Sequence, residues 1–205
     1  MNYYSYCLKK AALHIKSLIP STWSKGNADS YIYKWNRIYS FAKKYNAKTL
    51  VETGTYYGLT VDKMKTIFTK IHSIEIDKML YQHNKRFYKK NQNVKIHLGD
   101  SKHILPLVIE NFTDQEKRTP IIFWLDGHCS EKETGIGDEY TPIEKELFLI
   151  NSYRSKVKAI VIIDDARLFT NINYPSVEQI LSKMPSDYYN YSVDRDAIIF
   201  IDRAI

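Results

Sequence analysis

The sequence predicts an α/β fold built on an open, mostly parallel sheet of seven strands that ends in an antiparallel hairpin. From residue 48 onward, short apolar runs of strand type alternate with segments of helical periodicity. The first run ends in an acid and a turn with two glycines, TLVETGTYYGLT at 49–60, which leads into a helix. A strand, a glycine turn and a helix in this order are typical of the nucleotide-binding corner of such Rossmann-like sheets.

Two helices are expected ahead of the sheet. Residues 4–19 place apolar side chains at helical spacing between lysines, which predicts a basic amphipathic helix that stops at Pro20. Residues 21–29 are expected to form a linker, and 29–46 a second helix with Asp29 or Ser30 as its N-cap. We therefore expect an N-terminal extension, 1–28, and one domain, 29–205. Through residues 1–25 the extension could dock on the domain, on a second subunit of a homodimer, or on an anionic membrane surface.

The strands and helices of the domain follow from the same patterns. Five strands are predicted at 48–53, 71–76, 94–98, 120–126 and 158–164. Helices are expected at 59–69, 77–90, 101–111, 141–152 and 174–184. Two β-rich runs around Asp194-Arg195-Asp196 predict the final hairpin. Because strands and helices alternate, the first five strands should be parallel.

Charge is distributed unevenly along the 205 residues, whose net charge is +7. Residues 1–49 carry nine Lys or Arg and one acid, whereas residues 98–205 carry twelve and eighteen. This asymmetry indicates either an anionic partner or surface, or a solvated lysine-rich face. The two cysteines, Cys7 and Cys129, form no CxxC pair, which argues against a disulfide framework and a structural zinc. With no apolar run of ~18 residues and an amino terminus broken by lysines, we expect a cytoplasmic protein, with contact to the inner face of the membrane left open.

Each predicted parallel strand ends in a carboxylate or is followed at once by one. The strand ends read Glu52-Thr53-Gly54, Glu75-Ile76-Asp77, Gly99-Asp100-Ser101, Asp126-Gly127-His128 and Asp164-Asp165. One such acid alone is commonly a helix cap or turn residue, but five at the ligand-binding edge of a sheet indicate a site. Glu75 is placed to accept hydrogen bonds from ribose hydroxyls. The first turn is not G-x-G-x-x-G, and an acidic rim repels phosphates, so the pattern favours the cationic S-adenosylmethionine over NAD.

Three of these acids, Asp126, Asp164 and Asp165, stand at two strand ends that should be adjacent, ~5 Å apart. All-oxygen ligation would suit Mg²⁺, Ca²⁺ or Mn²⁺. The alternative is hydrogen bonding of Asp165 to the following turn, with Arg167 nearby. His128 lies where a substrate would meet the cofactor, which makes it a candidate general base. Cys129 has no partner that would make it a nucleophile and is expected to be a packed thiol.

The strings VETGTYYGLT, SIEID, HLGDS, FWLDGH and IIDDARLF together resemble the class I S-adenosylmethionine-dependent methyltransferases over residues 48–167. The pattern is most similar to the small metal-dependent O-methyltransferases of the catechol and macrocin types. It also resembles, more weakly, methyltransferases of bacterial surface-polysaccharide synthesis. The E-x-G-x-x-x-G-x-S/T motif of the catechol type maps onto Glu52, Gly54, Gly58 and Thr60.

This resemblance implies residue roles. Gly99 and Ser101 would lie on the adenine side, and Asp126, Asp164 and Asp165 would bind the metal. The D-G-D motif of the macrocin type reads D-G-H here, so His128 falls on the base position, whereas the catechol type has its basic group where this chain has Cys129. The predicted catalytic residues are His128 and Asp126. The predicted cofactor-binding residues are Glu52, Thr53, Gly54, Thr55, Tyr56, Gly58, Thr60, Glu75, Ile76, Gly99, Asp100, Ser101 and Asp126.

The function expected from these observations is O-methyl transfer to a hydroxyl of a small molecule, a sugar or a surface-glycan precursor, with Mg²⁺ or Mn²⁺ assisting. The loop 127–140 and Tyr140, with the N-terminal helices, would shape the acceptor pocket. Methylation of a nucleic acid is an alternative prompted by the basic half, but the N-P-P-Y type motif and the Pro-Cys setting of such enzymes are absent, and no nucleic-acid partner is expected. A further alternative is a non-catalytic partner that binds S-adenosylmethionine within a glycan-assembly complex.

Overall fold

The computed structural model describes residues 1–18, 29–127 and 141–205. Within them the strands are β1 Thr49–Thr53, β2 Lys70–Glu75, β3 Val94–Leu98, β4 Ile121–Leu125, β5 Ala159–Asp164, β6 Tyr189–Asp194 and β7 Ala197–Asp202. They form one seven-stranded sheet in the order β3-β2-β1-β4-β5-β7-β6. β1 to β5 are parallel, and β7 lies antiparallel between β5 and β6. The predicted fold class, with its terminal hairpin, is confirmed.

The helices of the described ranges are α1 Tyr3–Ser17, α2 Tyr31–Lys44, α3 Leu59–Met64, α4 Lys78–Phe87, α5 Ser101–Glu110, α6 Asp114–Lys117, α7 Ile143–Ser152 and α8 Val177–Ser182. The prediction of a helix over 59–69 was too long. α3 ends at Met64. The side-chain amide of Asn93 donates to the carbonyls of Lys65, at 2.7 Å, and Phe68, at 2.9 Å, and these hydrogen bonds stabilise a turn after the helix. The sequence reading missed α6, a single turn fixed by a capping box between Thr113 and Glu116.

Helices cover both faces of the sheet, so the central strands are buried on both sides. Alternate residues such as Val51 and Phe123 pack into one core with α5, α7 and α8. Their neighbours Leu50 and Ile122 pack into a second core with α2 and α3. β1, β4 and β5 are therefore buried along their whole length. β4 is apolar throughout, whereas β1 contains Thr49, Glu52 and Thr53 and β5 ends in Asp164.

α1 lies against the start of α3 and against α4. Tyr6 is buried and joins a small cluster with Tyr57 and Leu80. The opposite face of α1 is exposed and largely apolar. The described helices include none with both the length and the hydropathy of a bilayer-spanning segment. Of the predicted linker, only Asp29 falls within the described residues, and the domain boundary at residue 28 stays a prediction.

Candidate active site

The carboxyl ends of β1, β2, β4 and β5 lie side by side. Parallel pairing places Thr53 opposite both Ile74 and Leu125, and Leu125 opposite Ile163. Acids stand in or directly after these strands: Glu52, Glu75 and Asp164 are buried, and Asp126 and Asp165 are half-buried. The structure thus brings together, at one edge of the sheet, carboxylates that are up to 113 positions apart in the sequence.

The loop after β1 folds back onto the sheet. The N–H groups of Gly54 and Thr55 both donate to the Ile74 carbonyl, at 3.0 and 3.1 Å. Gly54 has φ +84°, and a Cβ there would lie 2.6 Å from the carbonyl oxygen of Asp126. This position therefore requires glycine, for its left-handed backbone and for the close approach of β4. Tyr56 also adopts a positive φ of 50°.

Glu52 lies beneath this loop, and its side chain is enclosed by the protein. Its carboxyl group accepts hydrogen bonds from the hydroxyls of Ser73 and Thr60. Burial raises the pKa of Glu52 to about 8, with the nearby Glu75 adding to the rise. The charge that the sequence reading assigned to Glu52 thus depends on a neighbouring cation, which would lower this pKa again.

Glu75 receives backbone donors on both carboxylate oxygens. The Tyr56 N–H donates to Oε2 at 2.7 Å and the Asp77 N–H to Oε1 at 2.8 Å. Burial raises the pKa of Glu75 to about 7. The Ile76 N–H also donates to this carboxyl group. An ionised carboxylate has about four acceptor positions, so the group can still accept from a ligand hydroxyl. Its position is compatible with the ribose contact predicted for it.

Two other strand-end acids cap helices. Asp77 accepts from the Leu80 N–H at 2.8 Å at the start of α4. Asp100 accepts from the Lys102 N–H at 3.1 Å at the start of α5 and pairs with the Lys102 ammonium at 3.4 Å. The Asp100 carboxylate therefore has a capping role, and its contact with a cofactor stays a prediction.

Glu146 is a site residue that the sequence reading missed. It comes from the first turn of α7 and is almost fully buried beside the hydroxyls of Ser101 and Thr53. A Cβ on Gly127 would lie 3.8 Å from its Oε1. Burial raises the pKa of Glu146 to about 7. An acid in a first helical turn is usually a favourable charge at the helix N-terminus, and nothing in the local pattern distinguishes this one.

Asp126, Asp164 and Asp165 each present a carboxylate oxygen, and these atoms lie within 4.8 Å of one another. Burial raises the pKa of Asp126 to about 7 and that of Asp164 well above its usual value. Burial alone would also raise the pKa of Asp165, but the charges of Lys34 and Arg167 hold it below the usual range. Asp165 has a left-handed backbone, φ 56°. The predicted acidic cluster is therefore formed.

A lysine from α2 lies on this cluster. Lys34 Nζ donates to Asp164 and, at 3.0 Å, to Asp165. Although burial would lower the pKa of Lys34, the three aspartates raise it above its usual value, so the side chain is an ammonium. The oxygen ligands themselves suit a hard divalent cation. A divalent ion and the ammonium cannot occupy the same place, so the cluster in this arrangement is not a ready metal site.

A second lysine, Lys10 of α1, supports the glycine loop from below. Its buried ammonium donates to the Tyr57 carbonyl and to the Tyr88 hydroxyl, at 2.8 Å for the latter, and pairs with Asp62 at 2.7 Å. Tyr88 in turn donates to the Gly58 carbonyl at 2.7 Å. α1 is thus tied to the segment that opens the site.

The candidate base His128, its neighbour Cys129 and the rest of the predicted acceptor loop, including Tyr140, lie outside the described residues. The base and the acceptor pocket therefore remain predictions from the sequence.

No protein-family model matches the chain, and no curated protein matches it. Solved structures do. The chain is similar to the O-methyltransferase TomG of Streptomyces achromogenes, in complex with SAM (TM-score 0.57, 15% identity, 96% of this chain and 88% of that chain). It is similar to a putative caffeoyl-CoA O-methyltransferase of Staphylococcus aureus (TM-score 0.53, 16% identity, 83% of this chain and 83% of that chain). It is also similar to SAH-bound Podospora anserina methyltransferase PaMTH1 (TM-score 0.53, 11% identity, 83% of this chain and 78% of that chain). The chain therefore has the class I methyltransferase fold, as its motifs predicted.

Proposed function

We propose that this protein transfers a methyl group from S-adenosylmethionine to a hydroxyl of a small molecule, a sugar or a surface-glycan precursor. One observation carries the proposal: a glycine loop and buried carboxyls converge on the carboxyl edge of a sheet with this strand order. The similarity in fold to O-methyltransferases supports it. The site is acidic rather than basic, which favours a cationic cofactor over one that carries phosphates.

The described residues fit such a cofactor. Glu75 would accept hydrogen bonds from the ribose hydroxyls, and the loop from Gly54 to Gly58 would pass beneath the cofactor. Ser101 and Glu146 would line the adenine side. Glu52 and Asp126 would lie near the positive charge. When bound, S-adenosylmethionine supplies an electrophilic methyl group on a sulfonium.

The chain's own groups would then orient the acceptor and remove its proton. His128 is proposed as the base, and Asp126 would help to align the acceptor hydroxyl with the methyl group, where proximity contributes most. The metal role that the sequence predicted for Asp126, Asp164 and Asp165 is not part of this proposal, because the Lys34 ammonium lies on the cluster.

Methyl-transfer assays with a panel of hydroxylated sugars and glycan precursors test this function. Wild type should release S-adenosylhomocysteine only with an acceptor. His128→Ala should lose roughly 10²- to 10⁴-fold in rate, and the exposed His103→Ala should not. Saturable binding of S-adenosylmethionine without turnover on any acceptor would refute catalysis and favour a non-catalytic partner. Full activity in His128→Ala would remove the base role.

We also propose that α1 binds the anionic inner surface of a membrane. Its outward face is apolar and exposed, at Tyr4, Leu8, Ile15 and Leu18, and the exposed Lys9 and Lys16 lie beside it. Wild type should sediment with phosphatidylserine vesicles and not with phosphatidylcholine vesicles. Ile15→Asp should abolish this, whereas Leu107→Asp, at an exposed leucine of α5, should not. A dimer that forms through the same face and excludes vesicles would contradict the proposal.

A further inference from the structure

The acidic cluster of Asp126, Asp164 and Asp165 already contains a cation that belongs to the chain. Lys34 Nζ pairs with Asp164 and Asp165, and Arg167 Nη1 pairs with Asp165 at 2.9 Å. These two side chains bring two positive charges, as many as one divalent ion carries. Within the described residues, two of the three donors of the Lys34 ammonium are directed at carboxylates, and the third is available to an oxygen of a bound acceptor.

The position of Lys34 is fixed by the helix that carries it. Asp29, just before α2, is buried and is held by Arg37 at 2.6 Å and by Arg195 at 2.7 Å. Its N–H donates to Asp196 at 3.2 Å, and Arg37 donates to the Asp194 carbonyl at 3.0 Å. These contacts join the start of α2 to the turn between β6 and β7.

The same turn is joined to the cluster. Arg167 pairs with both Asp165 and Asp196, and the Arg167 N–H donates to Asp196 at 3.0 Å. Lys34 lies one helical turn before Arg37, so the contacts that anchor this helix also fix the position of the ammonium. If Lys34 left the cluster, the buried Asp164 would lose the counter-charge that pairs with it.

We infer that the Lys34 ammonium is the resident cation of this cluster and binds the acceptor oxygen in place of a divalent metal. The inference rests on the proposed methyl transfer for the identity of the acceptor, but the occupancy of the cluster is independent of it. It follows that the transfer needs no added metal, and that removing the ammonium creates a metal site where none was.

Titration with Mn²⁺, followed by electron paramagnetic resonance, tests the occupancy. Wild type should show no saturable Mn²⁺ binding over the titrated range. Lys34→Met should bind Mn²⁺ with a dissociation constant at least about a hundredfold below the lower limit set for wild type. The reason is that like charges ~4 Å apart repel strongly even at the effective dielectric constant of a protein surface. Lys34→Arg, which keeps the charge, and Lys43→Met, at an exposed lysine of the same helix, should behave as wild type. Asp164→Asn should abolish the binding that Lys34→Met gains.

Saturable Mn²⁺ binding by wild type that Asp164→Asn removes would overturn the inference, and that comparison stands even if Lys34→Met does not fold. Thermal melting gives a second readout: Lys34→Met should melt earlier than wild type and recover with Mn²⁺. Transfer assays in EDTA complete the test, because wild-type activity lost in EDTA and restored by Mg²⁺ would also overturn the inference. A wild type that is inactive on all acceptors would count against the proposed function, while the Mn²⁺ titration still decides the occupancy.

Discussion

Replacing Gly54 with alanine tests how closely the glycine loop must approach β4. The residue has φ +84°, a left-handed conformation that costs a non-glycine residue about 1–2 kcal/mol. The new Cβ would lie 2.6 Å from the Asp126 carbonyl oxygen and 3.0 Å from its carbon. Both are backbone atoms of a buried sheet edge, and such overpacking typically costs about 1–3 kcal/mol. Gly54→Ala should therefore lower the free energy of unfolding by roughly 2–5 kcal/mol.

Urea denaturation followed by circular dichroism measures this change, and calorimetric titration with S-adenosylmethionine measures its effect on the site. Gly127→Ala is the matched control, because Gly127 faces Gly54 but the nearest described neighbours of its added Cβ would be side-chain atoms of Thr53, at 3.2 and 3.5 Å, and of Glu146, at 3.8 Å. The control should change stability by less than about 1 kcal/mol. Cofactor affinity should fall at least about tenfold in Gly54→Ala, because the carboxyl end of β4 must move. Equal urea midpoints for the two variants would refute the steric reasoning.

Three further predictions concern buried charges. Lys10→Met should cost about 1–3 kcal/mol of stability and weaken cofactor binding, because Asp62 loses one of the three basic side chains placed on it and the Tyr57 carbonyl loses its closest donor. The exposed Lys9→Met should stay within about 0.5 kcal/mol in the same urea assay. Burial raises the pKa of Glu52 to about 8 and that of Glu75 to about 7. Both groups therefore bind protons more tightly in the folded protein than in the unfolded chain, so the stability of the free protein should fall as pH rises from 5 to 8. Calorimetry over this interval should show S-adenosylmethionine binding more tightly as pH rises, and S-adenosylhomocysteine, which lacks the sulfonium charge, gaining less; a flat profile for both would contradict the linkage. Burial likewise raises the pKa of Glu146 to about 7. Because the glutamine of Glu146→Gln cannot ionise, the melting temperature of this variant minus that of wild type should increase from pH 5 to pH 8. A difference that stays constant over this interval would contradict the prediction.

The sequence pattern predicted the sheet and the carboxyl edge because both depend on short-range features. An apolar run that ends in an acid and a glycine turn specifies β1, Glu52 and the loop from Gly54 without information from the rest of the chain. The paired acids at the end of β5 are equally local. Strand order and parallel pairing then place these local features side by side, so the edge could be predicted before any contact was known.

Lys34 could not be assigned in this way. It lies 130 positions from Asp164, on a helix whose periodicity marks lysines only as polar. Its environment arises when the start of α2 binds the turn between β6 and β7, a contact that depends on Asp29 and Arg37. Lys10 reaches the glycine loop by the same kind of long-range packing. In both cases the sequence shows a cation, and only the tertiary structure shows which acids surround it.

These two lysines change how the basic amino-terminal half is interpreted. Nine basic residues against one acid in the first 49 positions indicated an anionic partner or a solvated surface. Three of the nine, Lys10, Lys34 and Arg37, instead pair with acids of the fold itself. Lys34 therefore offsets charge at the acidic edge of the sheet, whereas Lys10 and Arg37 pair with Asp62 and Asp29. Among the described residues, the exposed Lys9 and Lys16 are available to an anionic surface, and they lie beside the apolar face of α1.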